Sequence, residues 1–259
     1  NRGRIYCYFS YTLYIILLIY MFISTARNQV ALLIDPEKVY QSIDKLANWC
    51  SEIEQANVDY IFVGGSTVSE VEMNMVCKTL KENTRLPVIL FPGASHHVNA
   101  HVDAVLLLNL ISGRNPVFLI GHHIAAAENL WKLNCPIVST SYLLIDGGIK
   151  TTVQTISDTE PISQYEQAKL SAVLKAGRLI GHQVCYLEAG SGAKINVPVP
   201  FIQEATEIFP YVISGGGVRT IDQLRTLHEA GANLVVIGNH LESKPSFLQE
   251  IKAYKQSLI

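Results

Sequence analysis

The sequence predicts an α/β protein folded as one closed (β/α)8 barrel, and three observations carry that expectation. Short continuous apolar runs alternate with stretches of helical periodicity from about residue 30 onward. Strands that are apolar throughout belong to parallel sheets covered on both faces. Eight such strand–helix units fill about 230 residues without a dividing linker, the usual content of a single barrel. A doubly wound open sheet is the alternative arrangement of the same units.

The elements follow in order. Val30 to Ile34 is the first strand, ended by Asp35-Pro36. Pro36 sits where a helix start tolerates it, and Val39, Ile43, Leu46, Ala47 and Cys50 then recur at helical spacing. Tyr60 to Val63 is the second strand, closed by Gly64-Gly65-Ser66-Thr67, and Val68 to Leu80 the second helix. Pro87 to Phe91 is the third strand, stopped by Pro92-Gly93. Only about eleven residues separate it from the fourth, Ala104 to Leu108, short of the dozen or more a crossover helix needs. The expected fold is therefore a modified TIM barrel whose third helix is reduced or replaced.

Val117 to Leu133 reads as a long fourth helix and Ile137 to Ile145 as the fifth strand. Asp146 to Pro161 is polar and rich in Gly, Thr and Ser, and reads as a mobile flap over a site. Ser163 to Leu179, Val184 to Leu187, Pro200 to Phe209, Tyr211 to Ile213, Thr220 to Ala230, Leu234 to Ile237 and Ser246 to Tyr254 complete the alternation, with Gly231 as a helix stop.

Bulk composition narrows the function. Of 259 residues, 49% are hydrophobic and 16% charged, with a formal net charge of -2. Lys and Arg are scattered, so no basic stripe offers itself to nucleic acid. Cys7, Cys50, Cys77, Cys135 and Cys185 are widely spaced, odd in number and never in a C-x-x-C pair, which reads as reduced core thiols of a cytoplasmic protein. Two domains are assigned: residues 1–27 as a hydrophobic extension of uncertain status, and 28–259 as the catalytic barrel. Ile5 to Ile23 carries no charge, holds five tyrosines and reaches the length of a membrane span. Three readings of it stay open: a spurious or locally packed extension, a membrane anchor, or a signal peptide ending near Ser24-x-Ala26. Met21 stands where a cytosolic start would precede the first strand.

Barrel chemistry occurs where strands end. Tyr186-Leu187-Glu188-Ala189-Gly190-Ser191-Gly192, Ser214-Gly215-Gly216-Gly217 and Gly238-Asn239 each follow an apolar run near the end of the chain. Glycine lets backbone amides approach an anion closely, so three successive loops of this kind describe a phosphate cradle. Glu188 lies two residues after Tyr186, so both side chains point the same way. A carboxylate there either makes a structural hydrogen bond or binds and deprotonates a substrate hydroxyl. Asp35 fits a helix N-cap, and Ser66 and Thr67 fit caps as well. Together, a carboxylate and a hydroxyl at neighbouring strand ends suit a hard cation such as Mg²⁺, which often takes only one or two protein oxygens beside substrate phosphates. His96-His97 and His122-His123 lack zinc-ligand spacing.

These motifs also carry a resemblance. Leu33-Ile34-Asp35-Pro36-Glu37-Lys38, Val63-Gly64-Gly65-Ser66-Thr67, Leu110-Ile111-Ser112-Gly113-Arg114-Asn115-Pro116, Tyr186 through Ala193, Gly215-Gly216-Gly217-Val218-Arg219 and Gly238-Asn239 together resemble the geranylgeranylglyceryl phosphate synthase family. The likeness runs from about Val30 to the C-terminus. It implies a Mg²⁺-dependent prenyltransferase that joins sn-glycerol 1-phosphate to a prenyl diphosphate through an ether bond, releasing diphosphate, early in ether phospholipid synthesis. Carried over by position, Asp35 and Ser66 are the metal ligands. Tyr186 and Glu188 are the catalytic pair, and Tyr186, Leu187, Glu188, Ala189, Gly190, Ser191, Gly192, Gly216, Gly217, Gly238 and Asn239 form the glycerol-phosphate site. The family fold lacks an ordinary third helix, and its members assemble as dimers or hexamers. Part of the family has Lys two residues before the metal Asp. Leu33 stands there here, which points to the branch with a geranylgeranyl donor. Residues 1–27 lie outside the likeness, so membrane association through residues 5–23 is a separate expectation.

Rival readings share some of this evidence. Another prenyl chain length fits the same motifs. A sugar-phosphate isomerase or lyase would share the cradle without needing a cation site or an apolar groove. A membrane-tethered binding protein would account for Ile5 to Ile23 alone.

Overall fold

The computed structural model describes residues 27–238 and 240–258. Eight parallel strands close in chain order: β1 (Gln29–Ile34), β2 (Tyr60–Val63), β3 (Val88–Leu90), β4 (Ala104–Leu110), β5 (Ile137–Leu144), β6 (Val184–Glu188), β7 (Val212–Gly215) and β8 (Leu234–Ile237). β1 pairs with both β2 and β8, which leaves no sheet edge. The open-sheet alternative is thereby excluded.

The helices are α1 (Pro36–Val39), α2 (Ile43–Gln55), α3 (Glu70–Asn83), α4 (His122–Trp131), α5 (Thr152–Ser157), α6 (Gln167–Leu179), α7 (Val199–Ile208), α8 (Ile221–Glu229), α9 (His240–Ser243) and α10 (Phe247–Gln256). Local chemistry sets their starts. Asp35 caps α1 through the Glu37 amide, with Pro36 in the first turn. Ser69 with Glu72, Thr151 with Gln154, and Thr220 with Gln223 form capping boxes on α3, α5 and α8.

The period-2 alternation of the strands divides the core in two. Tyr60 and Phe62 of β2 point into the barrel with Ile89, Leu106, Tyr186 and Ile213. Ile61 and Val63 point outward into a second layer, which the helices fill with residues such as Leu46, Met73, Leu80, Phe201 and Ile251. At the floor of the barrel Gln29 donates to the Tyr60 hydroxyl (3.1 Å) and accepts from that of Tyr211 (2.6 Å). Beneath it, His228 lies between the Gln29 carbonyl (2.9 Å from Nε2) and the Tyr254 hydroxyl (2.8 Å from Nδ1), so the proton sits on Nε2. Burial lowers the His228 pKa to about 4. The half-buried pair Lys255–Asp59 (2.7 Å) fixes the last helix to the start of β1.

The connection from β3 to β4 holds no α-helix, only the 3-10 turn Ser95–His97. His97 organises it: the Gly93 amide donates to Nδ1 (3.1 Å), and Nε2 donates to the Val68 carbonyl (2.9 Å). His96 reaches the same carbonyl (3.1 Å), so this pair is engaged in holding a turn.

Three details depart from the sequence expectation. The long fourth helix opens with a π-helical turn, Val117–Gly121, before α4. The stretch expected as a flap contains α5, and Thr151, Gln154, Ser157 and Thr159 are buried. Its own capping box and the Asn115 side chain donating to the Ser157 carbonyl (3.1 Å) hold it in place. The first helix is split into α1, a 3-10 turn and α2. Cys50, Cys77, Cys135 and Cys185 are free thiols. Among the described residues no helix is long and apolar enough to cross a membrane. The extension over residues 1–26, with Cys7 and the 5–23 segment, lies outside the described residues.

Candidate active site

The carboxyl ends of the strands open into one cavity of about 670 Å³. Its wall includes Asp35 and Ser66 on one side and Tyr186, Glu188, Gly190, Ser191, Gly192, Gly216, Gly217 and Gly238 on the other. These ten predicted residues are thus brought together from five strand ends. Two others are not. Leu187 and Ala189 alternate with Tyr186 and Glu188, so their side chains enter the layer between strands and helices. The Ala189 amide is also committed, donating to the Gly215 carbonyl (2.9 Å). Neither side chain lines the cavity. Asn239 lies outside the described residues.

Glu188 is the chemical centre. It is 7% exposed, and Oε1 accepts from the Gly190 amide at 2.6 Å. Burial pushes its pKa up to about 7, against opposing pulls from the Gly190 amide and the Tyr186 hydroxyl. Tyr186 Oη is buried without a well-aligned hydrogen bond. Burial, with the Glu188 charge adding to it, holds the Tyr186 and Tyr142 phenols well above their ordinary pKa, so both stay protonated donors at neutral pH.

The facing loop is shaped around this carboxylate. Gly215 lies opposite Glu188 in the β6–β7 register. A Cβ on Gly216 would stand 2.6 Å from the Gly190 nitrogen and 2.8 Å from Glu188 Oε1, and its φ of +91° is one that other residues rarely adopt. Only glycine lets the two loops approach this closely.

On the opposite rim, Asp35 accepts from the Glu37 amide (3.2 Å), and Thr67 Oγ1 donates to Glu37 Oε2 (2.6 Å). The N-cap role foreseen for Asp35 therefore exists alongside its place in the cavity wall. A Cβ on Gly65 would fall 2.7 Å from Asp35 Oδ1, so glycine leaves room for this carboxylate beside Ser66. Among the described residues no group of three or more His, Cys, Asp or Glu is placed to hold a metal ion. Two hard oxygens at one rim fit a cation that takes its other ligands from phosphate and water.

The cavity has an apolar arm as well. Val105 and Leu107 on the outer face of β4, Ala126 and Leu130 of α4, Val98 and Phe118 line it. Without an ordinary helix between β3 and β4, space opens between the barrel wall and α4. The sequence reading assigned no residues to this groove. Nor did it identify Tyr142, whose ring meets Tyr186 edge-on at 5.4 Å, or Phe91, 5.2 Å from Tyr186. Tyr142 pairs with Tyr186 in the β5–β6 register, and only that tertiary pairing brings it to the site.

The chain matches the model of the PcrB family over residues 23–257. It is 39% identical over 223 residues to geranylgeranylglyceryl phosphate synthase of Flavobacterium johnsoniae, covering 85% of this chain and 90% of that relative. To the Pyrococcus furiosus protein of the same name it is 37% identical, covering 83% and 84%. The crystal structure of (S)-3-O-geranylgeranylglyceryl phosphate synthase from Thermoplasma acidophilum, in complex with substrate sn-glycerol-1-phosphate, superposes with a TM-score of 0.81 at 27% identity, covering 90% of this chain and 93% of that one. A tryptophan synthase α-subunit from Pyrococcus furiosus (TM-score 0.55, 13% identity) shares the barrel fold.

Proposed function

The chain belongs to the PcrB family, and from that premise we propose that it is a geranylgeranylglyceryl phosphate synthase. It joins sn-glycerol 1-phosphate to geranylgeranyl diphosphate, giving 3-O-geranylgeranyl-sn-glycerol 1-phosphate and diphosphate. The observation that carries the reading is one cavity that combines a glycine cradle, a buried carboxylate and an apolar arm. A sugar-phosphate isomerase would use the cradle and leave the arm without purpose.

With the Gly190 amide kept on Glu188, the Gly192, Gly216 and Gly217 amides hold the phosphate, which fixes the glycerol hydroxyl beside Glu188. Positioning of this kind replaces a bimolecular encounter with an oriented one. A base with a pKa near 7 is about half ionised at neutral pH, strong enough to accept the hydroxyl proton and weak enough to release it later. Tyr186 donates from its protonated phenol, keeping the substrate oxygen and the Glu188 carboxylate in line. The prenyl chain lies in the arm between β4 and α4, where apolar walls replace water around it. Asp35 and Ser66 would hold Mg²⁺, which when bound neutralises charge growing on the departing diphosphate. As its relatives are expected to, the chain works in the cytoplasm as a homo-oligomer, a dimer or a hexamer.

Incubation with sn-glycerol 1-phosphate, geranylgeranyl diphosphate and Mg²⁺ tests the reading. The expected result is an ether product with equimolar diphosphate. Absence of both rejects it, and donors of other lengths used in parallel decide the preferred chain.

A further inference from the structure

The two loops of the glycine cradle are tied together from both sides. Arg219, just beyond the β7 loop, sends Nη2 across to the Gly192 carbonyl of the β6 loop (3.1 Å). Asn196, just beyond the β6 loop, sends Nδ2 back to the Gly216 carbonyl of the β7 loop (2.9 Å). Each tie starts on one loop and ends on the main chain of the other. Gln164 steadies the second from behind, donating to the Asn196 carbonyl (3.3 Å) and the Asp146 carbonyl (2.7 Å).

The two ties do different work. In a trans peptide the carbonyl and the following N–H point in opposite directions. Holding the Gly216 carbonyl therefore turns the Gly217 amide the other way, and Gly217 lines the cavity. Arg219 adds charge. Among the described residues lining the cavity, the Lys and Arg side chains are Lys38 and Arg219. Lys38 stands on α1 beside Asp35, whereas Arg219 stands over the glycines. A guanidinium has five N–H donors in a planar fork, so the bond to Gly192 leaves others to face an anion. Its field already reaches His240, another lining residue, whose pKa it helps to lower after burial and Lys244.

We propose that Arg219 is a phosphate-binding residue, its guanidinium pairing with the phosphate held by the glycine cradle, and that Asn196 is the positioning residue that aims the Gly217 amide. The proposal deepens the glycerol-phosphate reading and rests on it. Arg219 is exposed, so its replacement leaves the fold intact.

The test uses the full chain, with thermal unfolding followed against inorganic phosphate and, separately, sn-glycerol 1-phosphate, together with steady-state kinetics. Arg219→Gln is expected to weaken binding of both anions about tenfold, the size of one charge-assisted hydrogen bond. KM for glycerol phosphate rises to match, kcat falls much less, and KM for the prenyl diphosphate stays put. Arg219→Lys recovers part of the phosphate affinity, because it keeps the charge and loses the fork. Asn196→Ala raises KM for glycerol phosphate without altering the salt dependence of phosphate binding. Wild-type phosphate affinity in Arg219→Gln overturns the proposal, as does a rise in KM confined to the prenyl diphosphate. A wild-type protein that glycerol phosphate does not stabilise overturns the cradle reading itself, a separate and recognisable failure.

Discussion

Replacing Glu188 with Gln removes a buried carboxylate whose ionisation the fold opposes. Its pKa rises from 4.5 in the unfolded chain to about 7 in the native one. The native state therefore holds a proton that the unfolded state has released between those values, and stability falls as pH rises through this window. At about 1.36 kcal/mol per pKa unit, the shift corresponds to roughly 3 kcal/mol of destabilisation, complete above pH 7 and absent below pH 4.5. Gln keeps the acceptor for the Gly190 amide and carries no charge, so the variant escapes this loss. At pH 8 it should melt higher than the wild type by about 6–12 °C, and at pH 4.5 the two should nearly coincide. The same change removes the proposed base and should lower kcat by about 10²–10⁴. Paired thermal melts across pH 4.5–8, with diphosphate release assayed on the same samples, read both effects. A stability difference that does not change with pH would refute the argued burial of charge. Turnover like that of the wild type would refute the base.

Further expectations follow from the same geometry. His228 titrates with the opposite sign: its pKa is lowered to about 4, so the unfolded chain binds the extra proton and stability falls as pH drops from 6.5 toward 4. Melts of His228→Gln should lose that acid sensitivity, and an unchanged acid limb contradicts it. Asp35→Asn should shift the Mg²⁺ titration of activity to higher concentration, with glycerol-phosphate binding retained; a superimposable titration removes the ligand assignment. Gly216→Ala should abolish glycerol-phosphate stabilisation, since its Cβ would meet the Gly190 nitrogen at 2.6 Å. Ala126→Trp should raise KM for geranylgeranyl diphosphate while leaving phosphate binding alone, and equal KM values would empty the arm of its role.

The barrel was legible because its signals are local. Most strands are apolar runs buried on both faces, and the Asp35-Pro36 start carries its own cap, so it announces a boundary without help from the rest of the chain. The shortage of residues between Phe91 and Ala104 announced the missing helix. The π-helical turn at Val117 and the split after Val39 were not legible, because an apolar periodicity does not state which carbonyl each amide will choose. Glycine-rich strand ends and the Tyr186–Glu188 spacing picked out residues that the fold gathers around one cavity. The same one-dimensional view swept in Leu187 and Ala189, since a motif read as a string does not separate its two faces.

By itself the sequence determined the order of elements, the loops that carry glycine, and the carboxylate set two residues beyond a tyrosine. Closure of the barrel decided the rest. It buried Glu188 against Gly215 and Gly216 and so moved its pKa toward neutrality, and it crossed Arg219 and Asn196 between two loops. It also left room between β4 and α4. Desolvation and close approach depend on residues far apart in the chain arriving at one place, and no local pattern of side chains encodes that distance.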